Sequence, residues 1–184
     1  EVGRRVKAAG LSLSEYVVLG LGGRAMTKEH ALATAAVLNA IDPDFIRFRS
    51  LAVIPGMPLY DDLVAGKFTL LDEDEVVQEE RLLLERLEGI RSYVVSDHSL
   101  NLLMEVEGRL PEAKPQLLAA VDRYLALPPD EKLNFRLGRR LGVYERLDDL
   151  QDQRRRSQVE AAMARLNARG ILEEAILELK NRCI

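Results

Sequence analysis

Three groups of residues in this 184-residue chain have types and spacings that can do chemistry. The first is Gly20, Leu21, Gly22 and Gly23, which close an apolar run beginning at Tyr16 and lead into a helix-start signal, Met26-Thr27-Lys28-Glu29. Glycine leaves backbone N–H groups uncovered, and next to a helix N-terminus such groups hold an anion or a nucleotide. The same glycines also make a tight strand-to-helix turn with no ligand, and their spacing falls short of the G-x-G-x-x-G fingerprint. The second group is Arg47 and Arg49, whose guanidinium forks suit a carboxylate or phosphate, or else form a salt-bridged, solvated face. The third is Ser96-Asp97-His98-Ser99, with Asn101 and Glu105 following. Asp97 and His98 are the candidate catalytic residues, His98 as an acid or base, while Asp97 or Ser99 serves equally well as the cap of a helix starting at Leu100. No serine lies in a nucleophile-elbow context, so a serine triad is not indicated. Arg154, Arg155 and Arg156 are a candidate phosphate patch. With Asp148, Asp149 and Asp152 just upstream, a charge-paired helix start accounts for them better, and Arg139 and Arg140 are read the same way.

The elements that must position these groups follow from periodicity. Residues 16–21 read as a buried strand. A helix capped by Thr27 runs to Ile41, where Asp42-Pro43-Asp44 stops it. Residues 45–53 read as a second strand, with Ile46 and Phe48 on one face and Arg47 and Arg49 on the other. A short helix over 59–65 closes at Gly66, and Asp72 caps a charged helix over 73–87. A third strand covers 90–96. Strand, helix, strand, helix, strand at this spacing predicts a parallel sheet. After Asp97 the period is helical throughout: 100–108, 112–127, 130–141, 154–169 and 172–182. The reading therefore divides the chain into an α/β part, 1–98, and an all-helical extension, 99–184.

Composition narrows the function classes. A net charge of −4 gives no general nucleic-acid binder, because neutralising phosphates takes a basic face. The single cysteine, Cys183, excludes an internal disulfide and a multi-cysteine metal site within the chain. No apolar run reaches the roughly 20 residues that cross a bilayer, and the expected compartment is the cytoplasm. The chain opens without Met, and residues 1–10 read as the closing turns of a helix with Gly10 as C-cap, which predicts a piece of a longer polypeptide.

The runs YVVLGLGG, HALATA, DPDFIRFR, PGMPLY and SDHSLNLLMEVEGRLP together resemble the C-terminal half of a radical S-adenosylmethionine protein, related to oxygen-independent coproporphyrinogen oxidase and to elongator-type catalytic subunits. The resemblance covers about residues 2–150. It implies a partial, half parallel β/α barrel of about three strands with a helical C-terminal extension. It also implies an adenosylmethionine cofactor and a 4Fe–4S cluster in the full-length parent. The three-cysteine loop for the cluster is not in this sequence, so the chain alone is expected to hold no cofactor and to be inactive.

By the same resemblance, Gly20, Leu21, Gly22 and Gly23 form the adenine-side wall, and Ala52 and Val53 meet the adenine edge through backbone groups. Arg47 or Arg49 reaches the cofactor carboxylate or the substrate, and Asp97 and His98 line the substrate end. The family often places an acidic residue after the glycines, where this chain has Arg24-Ala25-Met26. The expected partners are the missing N-terminal half of the same polypeptide and a small-molecule or unknown substrate, without membrane or nucleic acid. An open sheet edge beside residues 16–21 would also allow a homo-oligomer. Two further readings stand beside this one: a non-catalytic α/β interaction module, and part of an RNA-modifying enzyme with a basic face around Arg136, Arg139, Arg140 and residues 154–156.

Overall fold

Turn chemistry and alternation in the first hundred residues produce three parallel strands. The computed structural model describes residues 1–181, so Cys183 and the expected helix end at Arg182 lie outside the described residues. Helix α1 (Val2–Ala8) leads into β1 (Ser14–Leu19), α2 (Gly23–Ile41), β2 (Phe45–Ser50), α3 (Pro58–Val64), α4 (Glu73–Arg86) and β3 (Tyr93–Val95). The two-residue β4 (Gly108–Arg109) is followed by α5 (Lys114–Leu125), α6 (Pro129–Arg140), a 3-10 turn (Leu147–Gln151), α7 (Gln153–Ala168) and α8 (Leu172–Asn181). The sheet order is β1-β2-β3-β4, with β1, β2 and β3 parallel and β4 antiparallel to β3. The observed class is thus mixed α/β around an open four-stranded sheet.

Several boundaries follow from local chemistry. Asp72 and Glu75 form a reciprocal capping box at the start of α4, worth about 1 kcal/mol. Asp42, at φ 49°, ends α2 in the left-handed conformation just before Pro43. Val17, Leu19, Ile46, Phe48 and Val94 turn to the helix-covered face and are buried. On the opposite face Tyr16, Val18, Phe45, Arg47, Arg49 and Tyr93 are half-buried or exposed. The register sets Tyr16 beside Arg47, Val18 beside Arg49 and Phe45 beside Tyr93. Helix α4 packs between α2 and α5. Its Leu83 and Leu84 belong to one continuous core that runs from Val17 through Tyr124, Phe135 and Tyr144 to Ile176.

The structure corrects four expectations. The first strand starts and ends two residues earlier than expected, at Ser14 and Leu19. The second stops at Ser50 rather than Val53, because β1 turns away after Leu19 and leaves it no partner beyond the Leu51 N–H to Leu19 bond. Helix α2 begins at Gly23 with a non-helical Met26, and Thr27 does not cap it, since its hydroxyl is engaged elsewhere. The expected helix over 100–108 is absent, and the chain there turns and then adds β4. Its leucines sit at helical spacing, but Arg139 donates to the carbonyls of Asn101 and Leu102 at 3.1 and 3.0 Å. Arg140 donates to those of Ser99 and Leu100 at 3.4 and 3.2 Å. Those carbonyls, occupied by guanidinium, do not close helical turns.

Candidate functional site

The glycine corner after β1 is already holding an anion, and that anion is internal. Glu79, on α4, has a fully buried side chain. It accepts from the Gly20 N–H at 3.2 Å and the Thr27 hydroxyl at 2.8 Å, and lies 2.6 Å from His30 Nδ1. Leu21, Gly23 and Arg24 donate their N–H groups to the carbonyls of Val18, Gly20 and Thr69. A Cβ at Gly22 would come 2.9 Å from the Met26 carbonyl, and one at Gly23 would come 2.7 Å from the Phe68 ring, at φ +59°. Glycine at these two positions is therefore demanded by the turn's own packing, as one of the sequence alternatives held.

The ends of β2 and β3 bring Arg47, Arg49, Asp97 and His98 together. Asp97 accepts from Arg47 Nη1 at 2.5 Å and from Arg49 Nη1 at 2.8 Å, so one carboxylate holds two guanidinium groups. Arg49 also lies over the Tyr16 ring at 4.7 Å and Arg47 over Phe45 at 5.6 Å. Burial would raise the Asp97 carboxyl, but Arg49 and Arg47 outweigh it and hold Asp97 below its ordinary range. His98 is pushed down by burial and by Arg49, with Asp97 opposing. Its Nδ1 accepts from the Leu100 N–H at 3.3 Å, so the neutral ring carries its hydrogen on Nε2. The group can present two guanidinium forks to an anion that competes with Asp97, beside a neutral imidazole.

Gly20, Ala52 and Val53 share a separate cavity of about 470 Å³ at the carboxyl ends of β1 and β2. Leu51, Leu63, Leu71 and Val76 give it apolar walls, and Ser50, Arg24 and Lys180 bring polar groups to it. Its volume lies within the about 300–1,000 Å³ usual for small-molecule sites. Leu21 is not there: half exposed, it lines a groove along the outer edge of β1 with Tyr16, Val18 and Val37. The residues grouped by sequence thus fall into three places: the sealed corner, the ionic cluster and the cavity.

Sequence reasoning named Asn101 without its role and missed Glu79 as the group that closes the glycine corner. Buried Asn101 donates to the Phe48 carbonyl and the Ser96 hydroxyl, both at 3.0 Å, and accepts from Ser50 at 3.1 Å, tying β2 to β3. The signal for Glu79 was a second glutamate on an apolar stripe, next to Val76 and Leu83. Of the arginines expected to form a basic face, all but the exposed Arg154 are engaged internally, Arg139 by backbone carbonyls. Arg136 pairs with Asp74 and Glu73, Arg140 with Glu73, Arg155 with Asp149, and Arg156 with Glu131 and Glu160.

Among the described residues no group of three or more His, Cys, Asp or Glu side chains is placed to hold a metal. None of the described helices is long and apolar enough to cross a membrane. Comparison of the chain with known protein families, with curated protein sequences and with solved structures returned no match.

Proposed function

We propose that this chain is the C-terminal part of a radical S-adenosylmethionine enzyme, supplying the adenine-side wall of the cofactor site and part of the substrate cavity. The observation that carries this reading is the winding of the sheet. Strands β1, β2 and β3 follow one another in sequence order; Val17, Leu19, Ile46, Phe48 and Val94 are buried on one face, and the opposite face carries Tyr16, Arg47, Arg49 and Tyr93, with Val95 its one buried residue. Sheets wound on both sides bury both faces, whereas a barrel wall keeps helices outside and polar strand ends within. Helix α1 supports the same reading, since it packs against α2 as α2 packs against α4. That is the position of a crossover helix whose own strand would pair with the outer edge of β1, an edge on which no described strand lies. The partner this arrangement calls for is the N-terminal half of the same polypeptide.

The cofactors fit this chain unequally. The described residues offer no ligand set for a 4Fe–4S cluster, so the reading assigns the cluster to the N-terminal half. For adenosylmethionine, the apolar cavity with Gly20, Ala52 and Val53 on its wall suits an adenine ring, and Arg47 and Arg49 suit a carboxylate. In that superfamily the two groups together supply radical chemistry. The work of this chain is to bind and orient, with Asp97 and His98 lining the substrate end.

The test is reductive cleavage of adenosylmethionine by the full-length, cluster-loaded protein. Ala52→Trp, which fills the adenine cavity, is expected to reduce cleavage by roughly tenfold or more, about 1.4 kcal/mol of lost binding. Unchanged cleavage overturns the reading. One observation favours a second reading, a non-catalytic α/β interaction module: Tyr16, Leu21 and Val37 are 61%, 50% and 57% exposed along the outer edge of β1. A chain of that kind self-associates in sedimentation and takes up no adenosylmethionine.

A further inference from the structure

Lys180 belongs to no group discussed so far except as part of a cavity wall. It projects from α8 to line both the 470 Å³ cavity and an adjoining one of about 360 Å³ between α4, α6 and α8. No described carboxylate lies within ion-pair distance of its ammonium group. The acids that face it are committed elsewhere. Glu73 pairs with Arg140 and Arg136, and Asp72 caps α4 and lies 3.9 Å from Arg24. From α6, Arg136 and Arg140 face it with like charge. Asp74, paired with Arg136 and Lys132, Glu80 on α4, Glu173 on its own helix, and Arg24 and Tyr60 across the larger cavity are the other ionisable groups that share its cavities. Burial is the largest influence and lowers the lysine's basicity. Glu73 opposes, Arg140 and Arg136 add to the lowering, and Asp72 opposes weakly. An amine held partly out of water beside other cations gives up its proton more readily than an exposed one, which favours a nucleophilic lysine.

We propose that Lys180 is an imine-forming lysine that takes a small aldehyde or ketone with an apolar body into the cavity at the carboxyl ends of β1 and β2. The Nζ lone pair adds to the carbonyl carbon, giving a carbinolamine. The former carbonyl oxygen then leaves as water carrying both amine hydrogens, and a C=N bond remains. No electrons are exchanged, so no oxidant or reductant is needed. Leu51, Leu63, Leu71, Val76 and Leu177 supply the apolar contact. The proposal stands on this cavity and goes beyond the adenosylmethionine reading, whose failure would leave it intact.

The experiment traps the imine. The chain is incubated with benzaldehyde and cyanoborohydride at neutral pH, and the benzylated lysines are quantified by peptide mass spectrometry. Exposed Lys28 and Lys67 serve as internal references. An amine whose basicity is lowered holds more free base at neutral pH. Lys180 is therefore expected to be labelled several-fold faster than Lys28 or Lys67, with the advantage vanishing at high pH. Equal or slower labelling of Lys180 overturns the proposal. Leu63→Trp, which fills the cavity from the short α3, is expected to slow labelling of Lys180 several-fold and leave Lys28 unchanged. Labelling of Lys180 that is fast but indifferent to this substitution overturns the assignment of the cavity as the entry site.

Discussion

Replacing Glu80 by Gln should make this protein more stable at neutral pH, although it deletes a native charge. Glu80 lies on α4 directly after Glu79, and both are buried. Glu79 is satisfied by Gly20, Thr27 and His30, whereas Glu80 Oε1 has no partner among the described residues. Nearby Glu105 is in a related position, with Oε1 accepting from the Leu147 N–H at 2.9 Å and Oε2 unpartnered. Burial, and secondarily the charge of Glu105, push the Glu80 carboxyl from its ordinary 4.5 up to about 8.

Because the folded-state value is the higher one, the native state binds more protons than the unfolded state between these values, and stability falls as pH rises through the window. At about 1.4 kcal/mol per unit, Glu80 costs nothing below pH 4, about 3 kcal/mol at pH 7 and about 5 kcal/mol above pH 8, relative to an uncharged group of the same shape. Glu80→Gln is that group. Urea unfolding followed by far-UV circular dichroism, which suits a chain without tryptophan, should give a stability gap that is small at pH 5 and widens steadily to pH 8. A gap that stays constant across this range, or a variant less stable at every pH, would refute the argument that Glu80 is a buried acid kept neutral by its surroundings.

Two further predictions rest on the site. Glu79→Ala leaves the Gly20 N–H and Thr27 hydroxyl without their buried acceptor, and the expected loss is about 3 kcal/mol in urea unfolding, with faster hydrogen exchange at the Gly20 amide. A loss under about 1 kcal/mol would mean that the corner is held by its own turn. Asp97→Asn removes the charge that opposes the downward shift of His98, so the His98 titration measured by proton NMR should move to lower pH. An unmoved His98 would mean that Arg47, Arg49 and Asp97 do not set its environment.

Much of the local structure was legible before the fold was known. Asp72 as the cap of a charged helix, Asp42-Pro43 after an apolar helical stripe, and the alternation of Ile46 and Phe48 with Arg47 and Arg49 all depend on near neighbours in sequence. Each appeared as read. Arg47 with Arg49, and Asp97 with His98, were read as separate groups at strand ends; that the two meet follows from the parallel register, which brings consecutive strand ends to the same edge. The segment after Asp97 was misread because Leu100, Leu103 and Val106 repeat at helical spacing. That period records only which side chains are buried, and here they are buried from an irregular segment whose carbonyls accept from Arg139 and Arg140.

By itself, then, the sequence determined the order of the elements, the parallel character of the first three strands and the residues at their ends, since capping, alternation and turn formation act over a few residues. Only the tertiary structure decided how those residues are used. Glu79, 59 residues away in the chain, closes the glycine corner that the sequence offered to a ligand. Asp97, about 50 residues away, occupies both arginines. Lys180 reaches the strand ends from the last described helix. The reason is physical: a buried backbone N–H or guanidinium must have a partner, and which group supplies it depends on how distant segments pack, which no local pattern encodes.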